Sequence, residues 1–454
     1  MEKKMLSVLD MGAKADGEGL QTAAFQAALD AVWKTGGGTV EVPAGKYFIG
    51  GIRLRSNTTL LLRSGAQLLG SRDPEDYCIL SDDTLEPLPE DWRTEKCWEP
   101  FVKGVQRCYD FMKPGGRWGN AMIRVVDAEN VAVIGEPGSL LDGRDCYDEL
   151  GEERYRGPHG ISVFRSRNVT FRGYTIQNTG NWAHNVFDSA QIFMENVTVL
   201  AGHDGIHCTS CQNIEIRNSE FYTGDDCIAG FGNINTFVEG CVCNTACSGL
   251  RFGGTNALIR DCKFFGPAKY FFRGSLSLEE KRDGVQAHRP HRVNMLSMFT
   301  YYADFSVDIP QQPGNIVITD CTADNVDRFL HYNFSGNERW QSHRPLESIK
   351  FQNIRARQIG MPLTAYGSKE CPLQLTMKNM DVAFRENVIN TAFLHVAHID
   401  RLLLENVKVE KGWDAPLVKS WTQTGDMVLR NIICDLPEAQ WVSYTDEPFV
   451  CKAI

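Results

Sequence analysis

Short runs in which apolar and polar residues alternate recur along most of the chain, and their spacing is the strongest signal it carries. From about Ala121 each run follows a polar residue: Asn130 (Asn-Val-Ala-Val-Ile), Asn168 (Asn-Val-Thr-Phe), Gln191 (Gln-Ile-Phe-Met), Asn213 (Asn-Ile-Glu-Ile), Asn235 and Asn256 (Asn-Ala-Leu-Ile). The last five are separated by 23, 22, 22 and 21 residues, and similar units resume at Asn315, Ser348, Arg401 and Asp426. A period in the low twenties that holds two or three short strands is the rung of a parallel β-solenoid, in which equivalent positions of successive rungs lie about 4.8 Å apart. Leucine-rich repeats share the period, but their leucine pattern and helical half are missing. The expected fold class is therefore all-β, a parallel β-helix forming one domain over residues 1–454.

The rhythm is interrupted in a few places. In residues 1–70 a capping helix is predicted over about 22–34, because Phe25, Ala28, Leu29 and Val32 recur at helical spacing and Gly36-Gly37-Gly38 stops it. That glycine run is not a phosphate loop, since no Lys-Ser/Thr follows. From 71 to 120 no period survives, and Trp92, Trp98, Phe101, Tyr109, Phe111 and Trp118 predict a folded flap or a small satellite core. The interval 266–314, with Lys281-Arg282-Asp283-Gly284 and His288-Arg289-Pro290-His291-Arg292, reads as a loop projecting from the solenoid. Residues 435–454 are expected to cap the far end, where an exposed sheet edge is also compatible with a homo-oligomer.

Composition narrows the setting. Of the 454 residues 43% are apolar and 23% charged, and no apolar run is long enough to span a bilayer, so no membrane partner is expected. A net charge of −10 offers no field to gather nucleic acid, although a local basic pocket is compatible with one acidic sugar. The first ten residues lack the apolar core of a signal peptide, and the fifteen cysteines lack the spacing of a secreted disulfide scaffold. Both features predict a cytoplasmic protein with reduced thiols. Cys208, Cys227 and Cys247 recur near rung spacing, which favours core packing over a zinc site built with Cys211, Cys241 and Cys243. No metal and no cofactor are expected.

Residues 202–230 carry the candidate chemistry. Gly202-His203-Asp204-Gly205-Ile206 and Gly224-Asp225-Asp226-Cys227-Ile228 set three carboxylates on adjacent rungs, with Asp204 and Asp225 twenty-one residues apart, close to the rung period (225 − 204). Like-charge crowding raises at least one carboxyl pKa, so that one group holds a proton near neutral pH while others stay ionised. Glycosidic cleavage uses that split, an acid for the leaving oxygen and a base for water. A calcium site, or aspartates that cap turns, would use the same residues.

These segments resemble glycoside hydrolase family 28, the polygalacturonase family. The likeness is carried by Leu9-Asp10-Met11-Gly12-Ala13, Gln21-Thr22-Ala23-Ala24-Phe25, Gly36-Gly37-Gly38-Thr39-Val40, Val42-Pro43-Ala44-Gly45-Lys46-Tyr47 and Leu54-Arg55-Ser56-Asn57, then by Asp204-Gly205-Ile206 and Gly224-Asp225-Asp226-Cys227-Ile228. It spans about residues 6–265. The resemblance implies a right-handed parallel β-helix and hydrolysis with inversion. Asp225 is similar to the general acid, and Asp204 and Asp226 to the pair that activates water, with acid and base about 6.5–9.5 Å apart. This chain departs from the family where Asn-Thr-Asp becomes Gly202-His203-Asp204, and where Ser248 stands at the histidine of Gly-His-Gly. His184, His203 or His207 is left to supply an imidazole from another rung. The family's Arg-x-Lys strand for the galacturonate carboxylate has no counterpart, and Arg251, Arg289 and Arg292 are the candidates to replace it. By position, His159 and Tyr302 join the cleft.

The sequence thus predicts an inverting, exo-acting glycoside hydrolase whose partner is a short imported oligosaccharide of pectin type, galacturonide or rhamnoside. A lyase, an epimerase or a glycosyl or fructosyl transferase on the same scaffold is the alternative within enzymes. A non-catalytic carbohydrate-binding solenoid is the alternative outside them.

Overall fold

A computed structural model of the chain describes residues 4–80, 117–303, 311–334, 340–341, 344–388, 391–410, 415–422 and 424–445. Its 35 strands form a continuous parallel ladder in which each rung pairs with the next. One face is built from His159–Phe164, His184–Phe187, Ile206–Thr209 and the first parts of Ile228–Glu239 and Ser248–Arg260. A second face holds Arg167–Arg172, Ala190–Glu195, Gln212–Arg217 and the remainder of those two long strands. The third is Thr175–Gln177, Thr198–Ala201, Glu220–Thr223 and Val242–Thr245. The molecule is a right-handed parallel β-helix.

The period is close to 22 because each rung must return every inward side chain to its own column. On the first face Ile161, His184, Ile206, Ile228, Leu250, Phe299 and Leu330 align in register, and all are buried. Each aliphatic member withdraws a side chain from water, worth about 1.5–3 kcal/mol. A predominantly aliphatic column of this kind tolerates no slip, since a one-residue shift turns its members outward.

The repeated asparagines are corner residues. Asn130, Asn168, Asn213, Asn235, Asn256 and Asn315 all adopt left-handed backbone, with φ between +53° and +59°, a conformation asparagine tolerates better than other side chains. Their amides stack into exposed ladders: Asn235 Nδ2 donates to Asn213 Oδ1 at 3.0 Å, and Asn256 Nδ2 to Asn235 Oδ1 at 3.3 Å. Asn235→Ala removes two ladder bonds and strains the corner, and is expected to lower stability by about 1–2 kcal/mol in denaturant unfolding.

The predicted helix is present as Thr22–Trp33, burying Phe25, Ala28, Leu29 and Val32 against the first rungs. The interval 266–314 differs from the expected loop, because Met295–Tyr301 is a strand that pairs with Ser248–Phe252 before it and with the strand Val326–Asn333 after it. Its rung does keep a corner asparagine, Asn315, but Asn315 follows Asn256 by 59 residues, so the insertion hides the period. Trp92, Trp98 and most of the expected flap lie outside the described residues. No helix among the described residues is long and apolar enough to cross a membrane. The first face has a second apolar layer on its outer side, where Trp118, Val126, Phe164, Trp182, Phe187, Phe231 and Tyr302 pack together.

Candidate active site

Backbone hydrogen bonds fix how the aspartates line up. Ala183 N–H donates to Asp204 O at 2.9 Å, Gly205 N–H to Asp226 O at 2.9 Å, and Cys227 N–H to Ser248 O at 3.0 Å. Trp182, Asp204, Asp226 and Ser248 therefore form one column. Asn181, His203, Asp225 and Cys247 form the column beside it. Asp226, not Asp225, continues the column of Asp204, since the local register is 22 (228 − 206). Asp225 sits one position aside, which gives it different neighbours from the other two.

Those neighbours separate the three carboxyl groups. Asp226 accepts from Ser248 N–H at 3.0 Å and from Arg251 Nη1 at 3.4 Å. Asp204 Oδ2 meets His207 Nδ1 at 2.8 Å. Burial, reinforced by the charge of Asp226, raises the Asp204 carboxyl well above its usual range. Asp225 carries no hydrogen bond on its carboxyl from the described residues, and is flanked by Arg156 Nη2 and Arg292 Nη1, each 3.8 Å away. Burial first, then Asp204 and Asp226, push it to about 7 against the pull of Arg156 and Arg292. A carboxyl poised there, free of hydrogen bonds, is able to hand a proton to a leaving oxygen.

Asp225, Asp226 and Cys247 also place donor atoms within 4.8 Å of one another, a spacing that a cation would accept. The Cys247 thiol is pushed up by burial and by Asp226 and Asp225, so it keeps its proton, and Arg251 and Arg292 already bring positive charge to both carboxylates. The set is better suited to proton transfer than to metal binding.

A wall closes the side of the site. Arg273 N–H donates to Gly202 O at 3.0 Å, and Phe271 O lies where a Cβ on Gly224 would stand, 2.0 Å away. Glycine before each aspartate turn thus lets the insertion pack directly on it. The 143–158 segment meets the insertion through Arg154 Nη1 to Gly274 O at 3.3 Å and through Arg282 with Glu149 at 2.7 Å. Within this wall Arg273 pairs with Asp145 at 3.0 Å. Lys281 is buried with no ion-pair or hydrogen-bond partner for Nζ among the described residues, and burial, then Arg273 and Arg156, lower it to about 8. Lys281→Met is expected to stabilise the fold by about 1–3 kcal/mol. The gain is full below pH 8 and fades between about 8 and 10.4, where the folded lysine sheds its proton before the unfolded one does; paired thermal melts at pH 7 and 9.5 check it.

The structure brings most of the sequence candidates together. Arg251 bridges Asp226 and the ring of Tyr302, with its guanidinium 4.3 Å from the ring centroid. Arg292 lies between Asp225 and the face of Phe272. His203 is buried, with Nδ1 3.4 Å from Arg156 Nη1 and Nε2 unpaired; burial, then Arg156, hold it neutral. His159 packs against Trp118 and Trp182. Arg289 is engaged away from the aspartates with Glu280. His184 stands apart: it is an inward column residue, with Nε2 2.8 Å from Tyr174 OH and Nδ1 3.0 Å from Gly205 O, so its ring belongs to the core. Sequence reasoning missed Arg156, which binds Asn181 Oδ1 at 3.0 Å and reaches both His203 and Asp225. It also missed Trp182, although 22 residues before Asp204 the rung period marks that position.

Parts of the chain are similar to known proteins. Residues 115–254 match the model of glycosyl hydrolases family 28, and residues 5–66 a model described as rhamnogalacturonase A/epimerase, pectate lyase-like. A probable polygalacturonase of Vitis vinifera is 28% identical over 235 residues, covering 49% of this chain and 43% of that protein. An exo-poly-alpha-D-galacturonosidase of Dickeya chrysanthemi is 28% identical over 264 residues, covering 50% of this chain and 42% of that protein. The aligned part thus spans less than half the length of these relatives. The exopolygalacturonase of Thermotoga maritima shares the fold, with a TM-score of 0.57 at 19% identity over 92% of each chain. The family match falls on the rungs that hold Trp182, Asp204, Asp225, Asp226 and Ser248, so it is the part of the chain carrying the candidate site that is similar to glycosyl hydrolases family 28.

Proposed function

We propose that this protein is an inverting, exo-acting glycoside hydrolase that removes a terminal sugar from short oligosaccharides bearing an acidic group, of the pectin type. The observation that carries the reading is the division of labour among three carboxyl groups on two rungs: Asp225 near 7 and free of hydrogen bonds, against Asp204 and Asp226 held in fixed partnerships. Asp225 protonates the leaving oxygen. Water is activated at the Asp204–Asp226 pair, where Asp226 beside Arg251 takes the proton and Asp204 orients the water, and it attacks the opposite face of the sugar. Arg251 and Arg292, within reach of the aspartates, and Arg156 beside them supply the charge for a carboxylate on the substrate.

Exo action is supported by enclosure. The three aspartates are 8% exposed or less, and the 143–158 and 266–294 segments meet across the turns that carry them. Such a site suits a chain end better than the middle of a polymer. A reducing compartment suits the eleven described cysteines, none of which forms a disulfide, and an intracellular enzyme would meet only short imported chains. Digestion of a galacturonate hexamer and of a rhamnogalacturonan oligomer, followed by chain-length analysis, tests the mode. Loss of one terminal unit at a time is expected, and early release of mid-length fragments would show endo action instead.

A further inference from the structure

We infer that His207 is the positioning residue of the water-activating pair, acting through Asp204; the inference rests on the hydrolase reading above. Its Nδ1 lies 2.8 Å from Asp204 Oδ2, and the Asp204 carboxyl also receives the backbone N–H of Asp226. Held in this way, the carboxyl stays beside its column neighbour Asp226, whose charge and backbone N–H both act on it, and the pair is set to share one attacking water. The resemblance placed an imidazole beside the acid; in this chain the imidazole serves the other side of the reaction.

The histidine is held more firmly than packing alone requires. Its ring stacks on Trp182 at 3.9 Å between centroids and 6° between planes, and meets Phe231 and Tyr302 edge to face at 6.3 and 6.1 Å. Tyr302 is in turn covered by Arg251, whose other contact is Asp226. One chain of contacts therefore ties both members of the pair: Trp182 to His207 to Asp204, and Tyr302 to Arg251 to Asp226. The charged and titratable groups that face His207 are Asp204, Asp226, Arg251, Tyr302, Arg156, Glu153 and His159. Burial, then Arg251, keep the imidazole neutral, at about 3. A neutral ring offers Nδ1 either as donor to the Asp204 carboxylate or as acceptor from its acid form, so the contact survives both protonation states of Asp204.

Two substitutions separate this role from packing. His207→Phe keeps the stack on Trp182 and removes the nitrogen, whereas His207→Asn places an amide near the Nδ1 position and gives up the stack. On whichever oligosaccharide the wild type cleaves, His207→Phe is expected to lower kcat by about 10²-fold with KM within about twofold, and His207→Asn to recover most of that loss. The acid limb of the pH–rate profile should move in His207→Phe and the alkaline limb, set by Asp225, should not. Equal losses in both variants, or a change in KM alone, would reduce His207 to a packing residue. If the wild type cleaves no glycoside, the hydrolase reading fails by itself. The positioning role is then judged by carbon-13 titration of the Asp204 carboxyl, expected to shift by about one unit or more in His207→Phe but not in His207→Asn; an unmoved titration in both overturns it.

Discussion

Asp225→Asn is expected to cut hydrolysis by about 10³–10⁴-fold, the scale of a lost general acid, while leaving the protein folded and more stable than the wild type at neutral pH. The two effects have one cause. Burial and the neighbouring Asp204 and Asp226 raise the folded Asp225 to about 7, whereas an unfolded aspartate titrates near about 3.9. Between those values the folded state binds the extra proton, so wild-type stability falls as pH rises through that window. The amide has no proton to lose and escapes the penalty. Thermal melts of the two proteins should therefore diverge between about pH 4 and 7, with the variant higher, and converge below pH 4. Wild-type activity should decline above about 7 as the acid is lost. A variant that is inactive because it is unfolded would show the opposite stability order, and retained activity would remove Asp225 from the acid role.

Gly224→Ala is the second large effect, and it arises from steric contact alone. Gly224 has an ordinary backbone conformation, yet a Cβ there would lie 2.0 Å from Phe271 O, 2.5 Å from Phe271 C and 2.7 Å from Gly202 O. Three backbone atoms cannot yield as a side-chain tip does. The insertion must lift from the turn before Asp225, and overpacking of this kind costs about 3 kcal/mol. Lifting it also displaces Arg292, which lies on the same insertion and flanks Asp225. The expected outcome is faster limited proteolysis within 266–294 together with a loss of activity. Unchanged proteolysis and activity would show that the insertion is not seated on the turn. Gly202→Ala should disturb the same insertion, because a Cβ there would lie 2.3 Å from Arg273 Cγ and 2.4 Å from Cδ, the stem of a buried side chain paired with Asp145.

The solenoid was legible because its period is a physical necessity: corner asparagines at positive φ and inward aliphatic columns must return every 22 residues or so. The aspartates were legible for the same reason, being three acids on turns where the core offers no other use for them. The column partner of Asp204 was not, because a spacing of 21 and one of 22 differ only in register, and register is set by backbone pairing. His184 illustrates a signal that was present: at 184, 206, 228 and 250 the residues are His, Ile, Ile and Leu, a column that already points inward. Arg156 left no comparable trace. It lies in a segment without repeat, and its place between Asn181, His203 and Asp225 depends on how that segment folds back over the face. The strand Met295–Tyr301 is hidden in the sequence because a long insertion separates it from the previous rung, which puts its corner Asn315 59 residues after Asn256.

The central claim is that three carboxyl groups on two rungs carry out a single inverting displacement. Proton NMR of the anomeric signal during the first turnovers, on a galacturonide or rhamnoside oligomer that the protein cleaves, tests it most directly. If Asp225 protonates the leaving oxygen while Asp204 and Asp226 direct water to the far side, the product appears first in the anomeric form opposite to the substrate linkage and only later equilibrates. First appearance of the same anomer as the substrate, or of an unsaturated product with no anomeric inversion, would contradict the account.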